Sequence, residues 1–450
     1  MSTPACPVSS ELLTAADWQD VLCSLHARPE KAVRLRPAAA MGVGELLELP
    51  FPTSPVPWFD RGRFVPGDAQ PGGWLEHAAG LYYVQDAASM LALRLLDAQP
   101  HEIIADVCAA PGGKATAILE ITGPGGGFLL ANEAVHSRHA PLTLTLARVG
   151  FPGYVQTQLD PAELARQLPR RFDAVLVDAP CSGQSLVSRG RQSAAAFSPA
   201  QILHSAARQQ RILAHAAALV RPGGRLVYST CTYAEAENED IAADFLQQHA
   251  GWEEECLPQL AAWRSPRAPG GYRLWPHRDR CAGGYAIRLR APGDGSAVER
   301  SSAGPVSRRT TPPQNLWSVP GIGICEHAII RDVGRQRFAW SSAVPGWLEH
   351  LACTGPEAAY QPSREWLPSH ALALRRDPGW IPTATVDLSA AEALRLMAGE
   401  TLRSFGSGWK AARWHGHPLG WLHSLEKRSN NPLPASARML LPQSSQSRKF

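Results

Sequence analysis

Three short runs of the chain hold residue types able to do chemistry. The first is Asp106-Val107-Cys108-Ala109-Ala110-Pro111-Gly112-Gly113-Lys114, which follows an apolar stretch and opens a helical one. Glycines let a backbone approach a ligand closely, and a helix N-terminus presents unpaired N–H groups to an anion such as a carboxylate. A tight strand-to-helix turn that binds nothing has the same pattern. Asn132-Glu133, at the end of the next apolar stretch, adds a carboxylate placed to accept hydrogen bonds from a ribose. Asp160, after the third stretch, is placed either to face an adenine or to cap a helix. The second run is Asp178-Ala179-Pro180-Cys181-Ser182-Gly183, and the third is Ser229-Thr230-Cys231-Thr232. A lone cysteine in an apolar strand is usually a small buried hydrophobe. Two cysteines that leave strand ends beside an acid point instead to thiol chemistry, in which a thiolate attacks carbon.

Such chemistry needs a frame that brings the three runs to one rim. Short apolar runs at 103–107, 128–131, 154–156, 172–178 and 226–229 read as strands. Helical spacing falls between them, from about residue 114 and over 199–220, the latter stopped by Arg221-Pro222-Gly223-Gly224. A further helix over 85–97 carries Ala87, Met90, Leu91 and Leu95 on one face, after a strand-like Leu81-Tyr82-Tyr83-Val84. Alternation of strand and helix predicts an α/β fold, a Rossmann-like parallel sheet with helices on both faces. Strands buried on both sides read as unbroken apolar runs, as these do. Ligands bind such sheets at the carboxyl ends of the strands, where the three polar runs lie.

The flanks differ in texture. Residues 1–75 read as a small helical module followed by a Pro/Gly-rich stretch, 76–290 as the α/β domain, 291–315 as a Gly/Ser/Pro linker, and 316–450 as a further folded region holding 8 of the 14 tryptophans. From Leu316 onward Lys and Arg number 15 against 10 Asp and Glu, so the net charge of +4 arises there. A basic region attached to a near-neutral domain suits a polyanion. Nine cysteines are spread widely with no C-x-x-C pair, which disfavours zinc sites and disulfide frameworks. No apolar run reaches the roughly 20 residues of a membrane helix, and the N-terminus shows no secretory signal. A cytoplasmic protein with neither metal nor membrane partner is expected.

The D-x-C-A-A-P-G-G-K, D-A-P-C-S-G and S-T-C-T runs, in this order and spacing, resemble those of the RNA 5-methylcytosine methyltransferases of the Nol/Nop/Sun family, and within it the bacterial ribosomal RNA enzymes. The run from Tyr83 to Leu91 matches that group's lead-in helix. Pro368-Ser369-His370-Ala371-Leu372 and Pro418-Leu419-Gly420-Trp421 resemble its C-terminal PUA-like α+β region. The resemblance implies S-adenosylmethionine as cofactor, held by Cys108, Ala109, Ala110, Pro111, Gly112, Gly113, Lys114, Glu133, Asp160 and Asp178. It implies Cys231 as nucleophile, Cys181 as the group assisting release of the methylated base, Asp178 at the cytosine edge and Lys114 facing the active site. It further implies RNA-binding flanks and a ribosomal RNA or small-subunit partner.

That chemistry is physically coherent. Carbon 5 of cytosine is a poor nucleophile, and thiolate addition at carbon 6 makes it enamine-like. A free thiol with a pKa of about 8.5 is little ionised at neutral pH, so the site must favour the thiolate. The target base must also leave its stack, which makes Tyr82, Tyr83 and the C-terminal aromatics candidate stacking partners. The chain departs from the family pattern at Gln184-Ser185-Leu186-Val187-Ser188-Arg189-Gly190-Arg191, where a second glycine and a basic-Asp-Pro run are usual. Arg34-Leu35-Arg36-Pro37 lacks the asparagine common at its position. Other readings are a tRNA cytosine-C5 methyltransferase, a DNA cytosine-C5 methyltransferase using Cys181, and a non-catalytic ribosome-assembly factor that binds RNA.

Overall fold

The computed structural model describes residues 4–42, 44, 47–293, 329–340 and 344–439. Most of the expected linker, together with Cys325 and Trp317, lies outside the described residues.

The amino-terminal part begins with helix α1 (Ala15–Leu25), closed by a reciprocal capping box between Thr14 and Asp17. Then come strands β1 (Lys31–Leu35), β2 (Ser54–Val56) and β3 (Phe59–Val65), helix α2 (Leu75–Ala78) and strand β4 (Tyr82–Val84). The four strands form an antiparallel sheet in the order β2-β3-β1-β4. This corrects the helical module expected for residues 1–75. Its strands are short and broken by proline, which masks their alternation, and the fourth comes from beyond residue 75.

The α/β part follows as α3 (Ser89–Leu96), β5 (Ile103–Asp106), α4 (Gly113–Thr122), β6 (Phe128–Asn132), α5 (His139–Ala147), β7 (Tyr154–Thr157), α6 (Pro161–Gln167), β8 (Phe172–Asp178), α7 (Pro199–Ala217), β9 (Val220–Thr230), α8 (Glu239–Gln248), β10 (Glu253–Glu254), β11 (Tyr272–Leu274) and β12 (Gly284–Arg290). All five expected strands are present. The sheet runs β10-β12-β9-β8-β5-β6-β7, with β11 paired to β12. Pairing is parallel from β9 to β7 and antiparallel at β12 and β10. The sheet is thus mixed rather than purely parallel, because β12 returns antiparallel to β9 and carries β10 and β11 on its outer side. The chain moves outward from β5 through β6 to β7, then restarts at β8 on β5's other side. That reversal puts a crevice at the carboxyl ends of β5 and β8.

The carboxyl-terminal part holds two sheets. One comprises β13 (Ile329–Val333), β14 (Gln336–Trp340), β15 (Glu357–Tyr360) and β16 (Leu367–Pro368). After helix α9 (His370–Ala373), the other comprises β17 (Thr385–Asp387), β18 (Leu402–Arg403), β19 (Gly408–Trp414), β20 (His417–Ser424) and β21 (Arg428–Asn430), with helix α10 (Ala390–Met397) between β17 and β18. This is the α+β region the sequence implied.

The parts share their cores. Val33, Val65, Leu75, Leu81 and Tyr82 from the amino-terminal part pack with Leu396, Met397, Leu402, Trp414 and Leu422 from the carboxyl-terminal part. Trp340 is fully buried and donates its indole N–H to Tyr154 O at 2.7 Å, on strand β7. Arginines fasten the junctions. Arg36, itself buried, donates to Gly80, Ala40, Val149 and Arg148 carbonyls, and Arg376 donates to Met41 and Ala79.

Candidate active site

Strand β5 delivers Asp106 to the crevice, and the chain then turns sharply into α4. Gly112 sits at φ +112°, and a Cβ there would lie 2.8 Å from the Thr145 side chain on α5. A side chain at that position is excluded both by conformation and by space. Ala109 N–H donates to Asn132 O at 2.8 Å, which ties the turn to β6. The Asn132 amide donates to Val107 O and Leu159 O, and its oxygen accepts from Thr157 Oγ1 and Leu159 N. One buried side chain thereby fixes the ends of three strands, a role not evident from its place in the sequence.

Beside the turn lies a cleft of about 260 Å³, lined among others by Cys108, Glu133, Arg138, Asp160, Pro180 and Arg208. Glu133 accepts from Val135 N at 3.0 Å and faces Arg138 at 3.0 Å, while Arg138 also donates to the Ala110 carbonyl. Asp160 caps α6 by accepting from Ala162 N at 2.9 Å and also lines the cleft. Ala109 and Ala110 are buried within the turn and Pro111 is exposed on it. Burial pushes the Cys108 thiol up, which suits it to lining rather than to attack. Asp106 is buried with one carboxyl oxygen lacking any partner. Burial first, and then the nearby Asp178 charge, push it up to about 8.

The other two runs meet at the ends of β8 and β9. Cys181 Sγ and Cys231 Sγ are 3.3 Å apart. Lys114 Nζ reaches across from α4 to Asp178 at 2.6 Å, and Ser229 Oγ donates to the other Asp178 oxygen at 2.8 Å. The two thiols titrate as a pair, and their environments separate them. Contact with Cys231, burial and the charge of Glu237 hold Cys181 up. Contact with Cys181, aided by Lys114 and Ser185 and opposed by burial and Asp178, holds Cys231 down. Of the two thiols, Cys231 is thereby the more easily ionised.

The unusual loop after Cys181 belongs to this support. Gln184 is fully buried, accepts from Tyr233 N at 2.9 Å and donates to Ala196 O at 3.3 Å. Ser185 N donates to Cys231 O at 3.2 Å. Arg189 pairs with Asp86 on the segment before α3. Arg34 and Arg36 are not displayed to solvent. Arg34 is fully buried, donating to Glu120 through two nitrogens at 3.0 and 3.3 Å, to Thr116 Oγ1 at 3.0 Å and to Gly113 O at 2.6 Å. It braces the glycine turn from behind. Tyr82 is core, with its hydroxyl donating to Pro71 O, and Tyr83 lies under the Arg34 guanidinium. Neither is a free stacking surface. Among the described residues no group of three or more His, Cys, Asp or Glu could hold a metal ion. The sequence names Asn132 and Gln184 without their structural roles and gives no sign of Glu237, which lies in the buried polar run Glu237-Asn238-Glu239 just after the third motif.

A switch-point crevice, a glycine turn, acids after successive strands and a thiol pair define a protein of the Rossmann-like methyltransferase fold. Residues 93–290 match the family described as 16S rRNA methyltransferase RsmB/F, residues 8–87 the N-terminal domain of 16S rRNA methyltransferase RsmF, and residues 383–439 the methyltransferase RsmF PUA domain. Over these three stretches the chain is similar to the 16S rRNA methyltransferases of the RsmB/F family. It is 36% identical over 288 residues to ribosomal RNA small subunit methyltransferase F of Klebsiella pneumoniae (strain 342), covering 61% of this chain and 60% of the relative. The enzyme of the same name from Shewanella amazonensis is 35% identical over 244 residues, 52% of each chain. The alignments therefore span between half and three fifths of these curated relatives. Among solved structures, NSun6 from Pyrococcus horikoshii superposes with a TM-score of 0.54 at 18% identity, covering 63% of this chain and 97% of that one. A methyltransferase homolog protein from Pyrococcus horikoshii gives 0.53 at 23% identity, covering 63% and 92%. Both agree with the fold described above.

Proposed function

We propose that the protein is an S-adenosylmethionine-dependent methyltransferase acting on carbon 5 of cytosine in small-subunit ribosomal RNA, in the cytoplasm. The observation that carries this reading is the pair of touching thiols at the ends of adjacent strands, beside the Lys114–Asp178 pair and a cofactor-sized cleft. Among the described residues no helix is long and apolar enough to cross a membrane.

The residues present fit the cofactor. The cradle at Gly112 admits no Cβ, Asp106 keeps an unpartnered buried oxygen, and Glu133 and Asp160 line the cleft. In this reading the turn from Cys108 to Lys114 and Asp178 hold its methionine end, Glu133 its ribose and Asp160 its adenine. Bound there, S-adenosylmethionine supplies an electrophilic methyl group. Cys231 attacks carbon 6 of the cytosine as a thiolate, so the carbon–sulfur bond forms while the electron pair of the 5,6 double bond moves to carbon 5. Asp178, held by Lys114 and Ser229, sits where it meets the polar edge of the base. Loss of the carbon 5 proton to solvent then restores the double bond and expels Cys231 as a thiolate, a release that Cys181 assists. The flanking regions, 1–75 and 316–450, serve in this reading to bind RNA around the 76–290 core.

The test is nucleoside mass spectrometry after incubating the protein and labelled S-adenosylmethionine with ribosomal subunits, bulk tRNA and DNA in parallel. Labelled 5-methylcytidine in ribosomal RNA alone supports the proposal, label in tRNA alone reassigns the substrate, and no label in any arm favours an RNA-binding assembly factor. A Cys181→Ala variant should accumulate a covalent RNA–protein adduct on a denaturing gel, and absence of a shifted band in an active preparation counts against the assigned roles.

A further inference from the structure

Glu237 lies in the turn between β9 and α8 and is fully buried. Its carboxylate is surrounded by two N–H donors and two hydroxyls, whose two protons are shared between Glu237 and the contact they make with each other. Ser182 N and Gln209 Nε2 each reach one oxygen at 2.9 Å, and Ser182 Oγ and Thr232 Oγ1 reach the other. Ser182 follows Cys181 and Thr232 follows Cys231, and the two hydroxyls also bond each other at 2.8 Å. Gln209, on α7, donates as well to Pro180 O at 3.0 Å, just before Cys181. The Glu237 carbonyl accepts from the Tyr228 hydroxyl at 2.6 Å, which roots the turn in β9.

A carboxylate buried among neutral donors is destabilising unless it holds something in place. This one joins two loops that meet nowhere else through side-chain carboxylates, and those loops carry the two sulfurs. We propose that Glu237 is a positioning residue that clamps the Cys181 loop to the Cys231 loop and directs attack to Cys231. The inference rests on the reading of Cys231 as the attacking thiol.

The electrostatics are consistent with the geometry. The negative charge of Glu237 adds to contact with Cys231 and to burial in raising the Cys181 thiol. The groups facing Cys231 are Cys181 and Asp178 from the β8 side, Lys114 from α4 and Ser185 from the following loop. Lys114 favours charge on that sulfur. Burial pushes Glu237 itself up, and the Ser182, Gln209 and Thr232 donors oppose that by stabilising its ionised form. An amide in its place removes the charge, while its oxygen can still accept from Ser182 N and Gln209 Nε2 and its N–H₂ can donate to the two hydroxyls, so Glu237→Gln isolates the charge and Gln209→Leu and Ser182→Ala remove clamp contacts.

The experiment needs neither RNA nor cofactor. Full-length wild type, Glu237→Gln and Glu237→Asp are alkylated with iodoacetamide across pH 6–10, and peptides bearing Cys181 and Cys231 are quantified by mass spectrometry. Wild type should label Cys231 over Cys181, with the Cys231 profile displaced to lower pH. Glu237→Gln should reduce that preference by roughly tenfold, the ratio equivalent to one pKa unit, and Glu237→Asp should restore part of it. A folded Glu237→Gln protein with an unchanged ratio and pH profile overturns the proposal. If Glu237→Gln does not fold, Gln209→Leu and Ser182→Ala each remove one clamp contact. A ratio unchanged in both overturns the proposal equally. Because the readout is thiol reactivity, a protein that lacks methylation activity can still pass or fail it, so failure of the functional reading and failure of the clamp are separate results.

Discussion

Replacing Arg34 by methionine tests whether this arginine is a buried brace or an RNA contact. Its guanidinium is fully buried and donates to both oxygens of Glu120, and Glu120 keeps only Arg61, at 3.4 Å, once Arg34 is gone. Breaking a buried ion pair by removing one partner costs about 3–5 kcal/mol, because the remaining charge stays desolvated. The double variant Arg34→Met/Glu120→Met removes that charge. It leaves the Gly113 carbonyl and Thr116 hydroxyl with one donor fewer, so its cost should fall to about 1–3 kcal/mol. The double variant should therefore be about 2 kcal/mol more stable than Arg34→Met alone. Urea unfolding followed by tryptophan fluorescence reads the midpoint, and the Trp58–Trp263 contact lies at the junction of the amino-terminal sheet with the α/β part. Burial alone raises the Glu120 pKa, but Arg34, Arg36 and Arg61 together hold it below its ordinary value of 4.5. A depressed folded pKa means that this stabilisation is complete above about pH 4.5 and is lost as pH falls through the lower folded value. RNA affinity measured against salt provides the other arm. A phosphate contact would lower the salt slope by about one unit without touching stability. A stability loss under about 1 kcal/mol together with a reduced salt slope would refute the brace.

Further outcomes follow from the same coordinates. Gly112→Ala combines a positive φ with a 2.8 Å approach to Thr145, so a strain of about 1–2 kcal/mol that displaces the turn should lower cofactor affinity about 5- to 30-fold in calorimetry. Asp106, with a folded pKa of about 8 against an ordinary 3.8, binds more protons folded than unfolded between those values. Wild-type stability should therefore fall as pH rises from 4 to 8, and Asp106→Asn should gain on wild type over that window in thermal melts. A constant difference across pH would exclude the perturbed acid. Trp340→Ala should destabilise the protein by about 3–5 kcal/mol, since the indole is fully buried and bonds Tyr154 O. By the same contact, deleting 316–450 should lower the melting temperature of the remaining chain, and an unchanged melt would show that the α/β part stands alone.

The carboxyl-terminal charge excess needs a different reading once the fold is known. Arg337, Arg375, Arg395 and Arg403 pair with Asp332, Asp377, Glu400 and Glu392, and Arg376 is buried against carbonyls. Counting charges weighs every cation equally, whereas several of these serve the fold. Lys410, Lys427 and Arg428, around the β19–β21 sheet, remain candidates for a polyanion.

Local patterns in the chain are enough for five apolar strands, the helices between them, a glycine turn and three motifs whose polar residues fall at strand ends. Strand and helix periods and turn chemistry act over a few residues, so each motif could be assigned to a strand end without knowing its neighbours. Strand order then brings Lys114 to Asp178 and Cys181 to Cys231, but their separations of 2.6 and 3.3 Å are properties of packing. The antiparallel edge at β12, the shared core of the two ends of the chain, the burial of Arg34 and the clamp at Glu237 belong to the tertiary structure alone. Each joins residues far apart in the chain, such as Arg34 with Glu120 or Glu237 with Ser182, and a partner chosen by three-dimensional proximity leaves no period or spacing in the sequence to mark it.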